Sequence, residues 1–316
     1  MSSKRVAVLM GGWGEEQEIS NKTGEAVVRA LESRGHRVTR VMAGPGLDVA
    51  LRGAEVEVAF LALHGRMGED GRVQGLLEVM GLPYTGSGVL ASALAMNKPF
   101  AKRLFRHHNL PIAQGYALRA ESLARLDALH GDLGFPVMVK PSCGGSSVGL
   151  AQVEDRAQLA PAVAEACRFG GEALVERFVR GREVTVGILG DQVLGSCEIA
   201  HGGRVFDYRS KYGGGSRYFL PPRLGQARIS ALESLGLAAH RALGCRGYSR
   251  VDLLAAEAGE DVLLEVNTLP GMTQHSLLPK IARKAGFSFE DLCERILLTA
   301  CLDAGRQDDA LFQLAA

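Results

Sequence analysis

The stretch Ser249 to Ser276, SRVDLLAAEAGEDVLLEVNTLPGMTQHS, restricts what this chain can fold into more than any other. Two apolar, β-favouring runs, Val251–Ala255 and Val262–Val266, flank the turn-like residues Glu257–Asp261, which predicts a β-hairpin. With the turn centred between Ala258 and Gly259, Asp252 falls opposite Glu265, Val251 opposite Val266, and Leu253 opposite Leu264. Side chains alternate along strands, so those four apolar residues share one face. Asp252, Glu265 and Asn267 share the other, with Arg250 opposite Asn267. A one-residue slip would set acids against core residues, so the pattern argues for this register. Directly opposed residues have Cβ atoms about 5 Å apart, and like charges there repel. Oxygen ligands converging at that spacing suit Mg²⁺, which takes one or two carboxylates plus substrate phosphates. Read otherwise, the acids are a solvated hairpin face.

Length and charge bound the rest. The 316 residues make about two domains, or three small ones. A net charge of +1 gives no support to a nucleic-acid or anionic-membrane partner. No apolar run approaches transmembrane length. The N-terminal run Val6–Met10 is too short for a signal peptide and ends in a glycine turn. The six cysteines form no CxxC pair and no zinc-spaced cluster, so reduced thiols in a cytoplasmic protein are expected.

Val6–Met10, Val38–Met42 and Val56–Leu63 read as strands. A helical pattern runs to Ser33 after the first, and Val73–Met80 is helical after the third. Alternation of this kind predicts a parallel sheet whose ligands sit at the carboxyl ends of its strands, here Gly11–Glu18 and His64–Gly71. The loop Gly11-Gly12-Trp13-Gly14 is not GxGxxG, and no ribose-binding acid follows at the usual distance, which disfavours a dinucleotide site. Glu15, Glu16 and Glu18 are either helix-dipole caps or include the partner of a substrate ammonium.

Asn97-Lys98-Pro99 predicts a capped helix start, and that helix runs to about His108. Leu110–Ala117 and Val137–Lys140 read as strands, with a helix from about Ser122 between them. Lys140 then opens the loop Pro141–Gly149, rich in Gly and Ser and followed by the strand Leu150–Val153. Its backbone N–H groups could cradle phosphate, although it is not a Walker A sequence, and loops of this kind are also plain hairpin tips. Gln158–Cys167 is helical, Ala173–Val175 and Glu183–Leu189 are strands, and Ile229–Leu243 is a helix before the hairpin. Leu277–Gly286 and Phe289–Leu302 close the chain as helices. Residues 201–222 hold Tyr208, Lys211, Tyr212, Arg217 and Tyr218 without periodicity, and are expected to form a lid.

Taken together, these stretches resemble the D-alanine:D-alanine ligases of the ATP-grasp superfamily. The resemblance spans residues from about 5 to 300. It rests on Gly11–Ser20, LHGRMGEDG from Leu63, GLPYTGSG from Gly81, VKPSCGGSSVG from Val139, DYRSKY from Asp207, SRVD from Ser249 and EVNTLPGMTQHS from Glu265, in the family's order. It implies an α/β chain of three-domain ATP-grasp architecture with an N-terminal parallel-sheet domain: residues 1–96 for substrate, 97–180 as the central unit, and 181–316 as the catalytic unit with the lid. It further implies ligation of two D-alanines through an acyl phosphate, for peptidoglycan precursor synthesis, by a homodimer using ATP and two Mg²⁺ (or Mn²⁺).

By family match, Asp252 and Glu265 hold one metal ion, and Glu265 and Asn267 the other. Lys98, Lys140 and Lys211 match phosphate contacts. Glu176 and Glu183 match the adenine-amine and ribose contacts, with backbone groups of Arg177 and Val179 completing the adenine site. Arg250 and the Gly271 N–H match the donors to the tetrahedral intermediate. Glu16, rather than Glu15 or Glu18, aligns with the acid on the first D-alanine's ammonium, and Ser146 and Tyr212 match the residues linking it to the lid. Ser276 matches the contact to the second D-alanine's carboxylate. His64 matches a histidine near the first substrate: an orienting group, an acid–base participant, or only a polar strand-end residue.

Departures from the family pattern are few. Cys143-Gly144 replaces a bulkier charged pair, and Phe178 stands where some members have Trp. Tyr212 favours an amine over a hydroxy acid as second substrate. The competing readings are a D-alanine:D-lactate ligase and a nucleotide-binding regulatory protein without catalysis, against which the Arg250, Asp252, Glu265 and Asn267 set argues.

Overall fold

The computed structural model describes residues 3–13, 16–144, 149–200 and 217–303. Three sheets follow one another along the chain. The first is parallel, with strand order β2-β1-β3, from Arg5–Gly11 (β1), Arg37–Ala43 (β2) and Val58–Leu61 (β3). As the central strand, β1 is covered on both faces, which is why Val6 through Met10 form an unbroken apolar run with at most 3% exposure. Gln17–Ser33 (α1) and Leu47–Gly53 (α2) are the crossovers, α2 lying where no helix was expected, and Arg72–Met80 (α3) follows β3 as expected.

Between α3 and the capped helix lies an element the sequence pattern hides, Val89–Met96 (α4). It reads VLASALAM, apolar nearly all round, so no stripe marks it. The next helix, Lys98–His107 (α5), starts as predicted, with the Asn97 side chain accepting the Phe100 N–H at 3.2 Å. Ala91 and Ala95 of α4, with Ala101 and Phe105 of α5, pack into the core of the third sheet.

The second sheet is antiparallel, with order β4-β7-β5-β6, from Gly115–Arg119 (β4), Val137–Pro141 (β5), Ala151–Val153 (β6) and Glu172–Arg177 (β7). Where a strand from Leu110 was expected, only Ile112 makes a bridge, to Leu263, before β4 begins. Instead of one helix from Ser122, a 3₁₀ turn, Ala120–Arg125, runs into Leu126–His130 (α6). Arg156–Gly170 (α7) covers the sheet with Leu159, Val163 and Ala166.

The third sheet has order β10-β9-β8-β11-β12, from Gly181–Leu189 (β8), Gln192–Ala200 (β9), Arg217–Phe219 (β10), Tyr248–Ala256 (β11) and Val262–Asn267 (β12). β9 was not foreseen. Of the expected lid, residues 217–219 form β10 on the edge of β9, and residues 201–216 lie outside the described part. Gln226–Ala242 (α8) and Leu277–Lys284 (α9) cover opposite faces. A Cβ on Gly236 of α8 would lie 3.0 Å from Val186, and one on Gly187 would lie 2.9 Å from Leu278 of α9. Adjacent strand residues point to opposite sides. The face with Val186, Val251 and Leu253 is therefore core. The face with Thr185 and Asp252, one residue off in register, continues beyond α9 as the floor of a site. Phe289–Leu298 (α10) then returns to α1, where Arg34 pairs with Asp291 and Glu294.

The hairpin register holds up to the acids: Arg250 faces Asn267, Val251 faces Val266, and Asp252 faces Glu265. It then breaks. A β-bulge sets Leu253 opposite Leu263, not Leu264 as the uninterrupted pattern predicted. In a regular strand Leu263 and Glu265 would share a face. The bulge separates them, sending Leu263 into the core at 0% exposure while Glu265 stays beside Asp252. Leu264 is the half-buried extra residue. Truncating Leu263 to Ala is expected to cost about 2–5 kcal/mol, and Leu264→Ala clearly less. Urea unfolding of both variants checks this, and equal losses would contradict the bulged register.

Candidate active site

The polar face of β11 and β12 is built around one fork. Arg250 donates from Nε to Asp252 Oδ1 at 3.0 Å and from Nη2 to Oδ2 at 2.8 Å. Thr185, directly across the sheet on β8, donates to Asp252 Oδ1 at 2.6 Å, and the Asn267 amide donates to Oδ2 at 3.0 Å. Burial works against the Arg250 charge, but the bonded Asp252 carboxylate outweighs it and drives the guanidinium pKa up. Glu265, across the hairpin, pairs with Lys98 of α5 at 3.2 Å. Two opposed carboxylates and an amide oxygen form a hard, all-oxygen donor set of the kind a divalent cation such as Mg²⁺ takes. The residues present fit that ion.

Lys98 also donates to the Gly144 carbonyl at 2.6 Å, and its own N–H bonds the Ser142 carbonyl at 2.8 Å. The first turn of α5 is thereby tied to the entry of the Gly/Ser loop. Lys140, the last lysine before that loop, reaches Glu176 Oε2 at 2.5 Å. Lys102, one helical turn after Lys98 and so on the same side of α5, reaches Glu176 Oε1 at 2.8 Å. Burial pushes the Glu176 carboxyl up, but the charges of Lys102 and Lys140 overcome this and hold it at about 2. Burial likewise pulls Lys102 down, against the Glu176 carboxylate. Arg177 spends its N–H on the Gln114 carbonyl at 2.8 Å. Val179 follows in the link to β8, and Glu183 on β8 adds to the field that keeps Arg250 charged.

The loop after β3 closes the site from the first sheet. His64 Nδ1 lies 3.1 Å from the Leu269 carbonyl, and Nε2 lies 2.9 Å from Thr23 Oγ1. A carbonyl only accepts, so Nδ1 carries the proton and Nε2 accepts from the Thr23 hydroxyl. Burial pushes the ring down to about 4; the Arg250 charge adds to this, while the Leu269 bond opposes it. Glu69 accepts the Gly65 N–H at 2.7 Å and the Leu269 N–H at 3.3 Å. Burial and the charge of Glu16 raise it to about 8 against those two donors. Glu16, the N-cap residue of α1, lies so close over Gly65 that a Cβ there would come within 1.8 Å of its carboxylate.

On the far side, Ser276 precedes α9, its hydroxyl accepting the Thr273 N–H at 3.1 Å. A Cβ on Gly271 would lie 2.9 Å from that hydroxyl, so the bare backbone of Gly271 sits directly against Ser276. Ser146, Lys211 and Tyr212 lie outside the described residues. Of the other expected positions, Lys98, Glu265 and Asn267 line one narrow cleft together with Glu69 and Gly144, and Arg250 and Asp252 join Asn267 through its side-chain amide. Thr185, Lys102, Glu69 and Thr23 were not singled out from sequence. Lys102 had a signal in its spacing from Lys98, and Glu69 in its place within a glycine-rich strand-end loop.

The family model for the D-ala D-ala ligase C-terminus matches residues 104–298, and that for the N-terminus matches residues 44–87. The D-alanine–D-alanine ligase of Anaeromyxobacter sp. is 49% identical over 304 residues, covering 96% of this chain and 99% of that one. The crystal structure of D-alanine–D-alanine ligase from Bacillus anthracis superposes with a TM-score of 0.85 at 34% identity, covering 94% of this chain and 97% of that one. The same enzyme complexed with ATP superposes at 0.83 and 32% identity, with the same coverage.

The buried histidine makes a pH prediction. In the unfolded chain the ring takes up a proton below about 6.5, whereas in the fold it stays neutral down to about 4. The unfolded state then binds more protons, so stability falls as pH drops through that window, by at most about 3 kcal/mol. The stability difference between wild type and His64→Gln should shrink by up to that amount between pH 6.5 and 4. Urea unfolding at both pH values measures it, and a constant difference would mean that the ring titrates normally.

Proposed function

The chain belongs to the D-alanine–D-alanine ligase family, and we propose how its cleft carries out that family's reaction. It is an ATP-dependent ligase of ATP-grasp architecture that joins two D-alanines into D-alanyl-D-alanine for peptidoglycan precursors, using ATP with Mg²⁺. The observation that carries the residue assignments is the meeting of the loop after β3, Lys98, the Gly/Ser loop and an oxygen-donor hairpin at one cleft.

The first D-alanine binds with its ammonium on Glu16, and its carboxylate attacks the γ-phosphorus, giving an acyl phosphate and ADP. The second D-alanine, its carboxylate at Ser276, loses an ammonium proton, and the amine attacks the acyl carbon. The tetrahedral oxyanion is met by Arg250 and the Gly271 N–H. Collapse forms the peptide bond and expels inorganic phosphate. Asp252, Glu265 and Asn267 would hold Mg²⁺, which when bound offsets the phosphate charge. Lys98, Lys140 and Lys211 bind the phosphates. Glu176, Arg177 and Val179 take the adenine and Glu183 the ribose.

Ser146 and Tyr212, which match the residues linking Glu16 to the lid in the family, lie outside the described residues. His64 orients rather than transfers protons, since its neutral ring has Nδ1 on the Leu269 carbonyl and Nε2 on the Thr23 hydroxyl. The chain divides functionally into residues 1–96, 97–180 and 181–316, a reading supported by three successive sheets. It works as a cytoplasmic homodimer. Six free thiols support the location, no helix among the described residues is long and apolar enough to cross a membrane, and light scattering of the purified protein measures the dimer.

Phosphate release with ATP, Mg²⁺ and D-alanine tests the reaction, with D-lactate and D-serine offered as alternative acceptors. D-Alanine-dependent turnover is expected, and none with any acceptor would leave only a nucleotide-binding protein. Glu265→Gln should lower kcat at least about 10²-fold, the scale of losing one transition-state charge contact. Near-normal turnover would remove Glu265 from the metal site.

A further inference from the structure

Lys102 belongs to none of the assigned contacts, yet it joins the two lobes that flank the nucleotide site. It sits on α5, whose Ala101 and Phe105 belong to the core of the third sheet. Its ammonium donates to the Leu263 carbonyl on β12 at 2.8 Å and pairs with Glu176 on β7 of the second sheet, also at 2.8 Å. Lysine and glutamate are both deeply buried, at 5% and 3% exposure. A buried carboxylate stays ionised only with compensating charge. Two cations serve Glu176, and they are not equivalent. Lys102 is pinned from both sides, whereas Lys140 lies nearer the cleft rim, where its strand runs into the Gly/Ser loop.

We propose that Lys102 is a positioning residue for the nucleotide site: from α5, packed on the third sheet, it gives Glu176 a fixed counter-charge, so that Lys140 can direct its ammonium to phosphate. The proposal rests on the reading of Glu176 and Lys140 as adenine and phosphate contacts. An ammonium has three protons and one charge. If Lys140 alone balanced Glu176, turning to phosphate would strip a buried carboxylate of its partner. With Lys102 in place, the carboxylate remains ionised and available to the adenine amine. The Leu263 carbonyl holds Lys102 at a set distance from β12, so the same contact spaces the lobes.

Steady-state kinetics with ATP varied at saturating D-alanine, and the reverse, tests this. Lys102→Met should trap Lys140 on Glu176 and raise the KM for ATP about tenfold, the scale of one charge-assisted contact, with the KM for D-alanine within twofold. A rise of less than threefold overturns the proposal. Adding Glu176→Gln releases Lys140 while keeping an amide oxygen for the adenine amine, and should recover at least half of the rise. No recovery means that Lys102 acts through packing alone, and the counter-charge role falls. Should Lys102→Met not fold, the double variant, which buries no unpaired carboxylate, decides: a KM for ATP within fivefold of wild type supports the proposal and a larger one overturns it. Lys140→Ala separates the two levels. If it raises the KM for ATP and Lys102→Met does not, only the present proposal fails. If Lys140→Ala leaves the KM for ATP unchanged, the phosphate assignment fails and the proposal with it.

Discussion

Asp252 and Glu265 stand directly opposite each other across β11 and β12, and the structure around them is arranged to make that pair tolerable. Like charges at this separation oppose the fold, and each acid has its own cation. Asp252 has the Arg250 fork, with Thr185 and Asn267 also donating to its carboxylate. Glu265 has Lys98. The two cations come from different places, one from the same strand as its acid and one from α5. That difference brings the rest of the site to the hairpin, because Lys98 also holds the Gly/Ser loop through the Gly144 carbonyl.

The same logic of buried charge repeats twice around the cleft. Glu176 is held ionised by two lysines. Glu69, with two N–H donors but no cation bonded to it among the described residues and Glu16 nearby, is driven the other way, up to about 8. Proximity of Glu16 to Gly65 explains both the missing side chain at position 65 and part of the Glu69 shift. His64 is neutral for a related reason: it is buried beside the Arg250 charge. The carboxylates thus divide into those kept charged by a cation and one that burial and a neighbouring acid push toward its protonated form.

Much of this was legible in the sequence, and the gaps have physical causes. Alternation along Val251–Ala255 and Val262–Val266 located the acids and their pairing, because only one register buries the apolar set. The bulge after Asp252 was invisible, since Leu263 and Leu264 are chemically alike and only three-dimensional pairing distinguishes them. The uniformly apolar α4 offers no stripe to read, whereas α5 was announced by Asn97 and Pro99. Site residues carried by motifs could be named beforehand. Thr185 could not, because its role depends on β8 lying beside β11, a pairing between strands some sixty residues apart.

The bulge and Lys102 together account for how an edge strand can carry the site. β12 is the last strand of its sheet, and an unpaired edge is a liability in a soluble protein. Here the outer edge is occupied at Leu263: its N–H donates to the Pro111 carbonyl at 2.9 Å, and its carbonyl accepts from Lys102 at 2.8 Å. The bulge turns that leucine's side chain into the core. The same residue therefore anchors the segment leading to the second sheet, fixes Lys102, and leaves Glu265, two positions on, facing the cleft. A regular strand would have put Leu263 and Glu265 on one face and handed the core position to Leu264, so Leu263 could not have filled the core as well as holding Pro111 and Lys102.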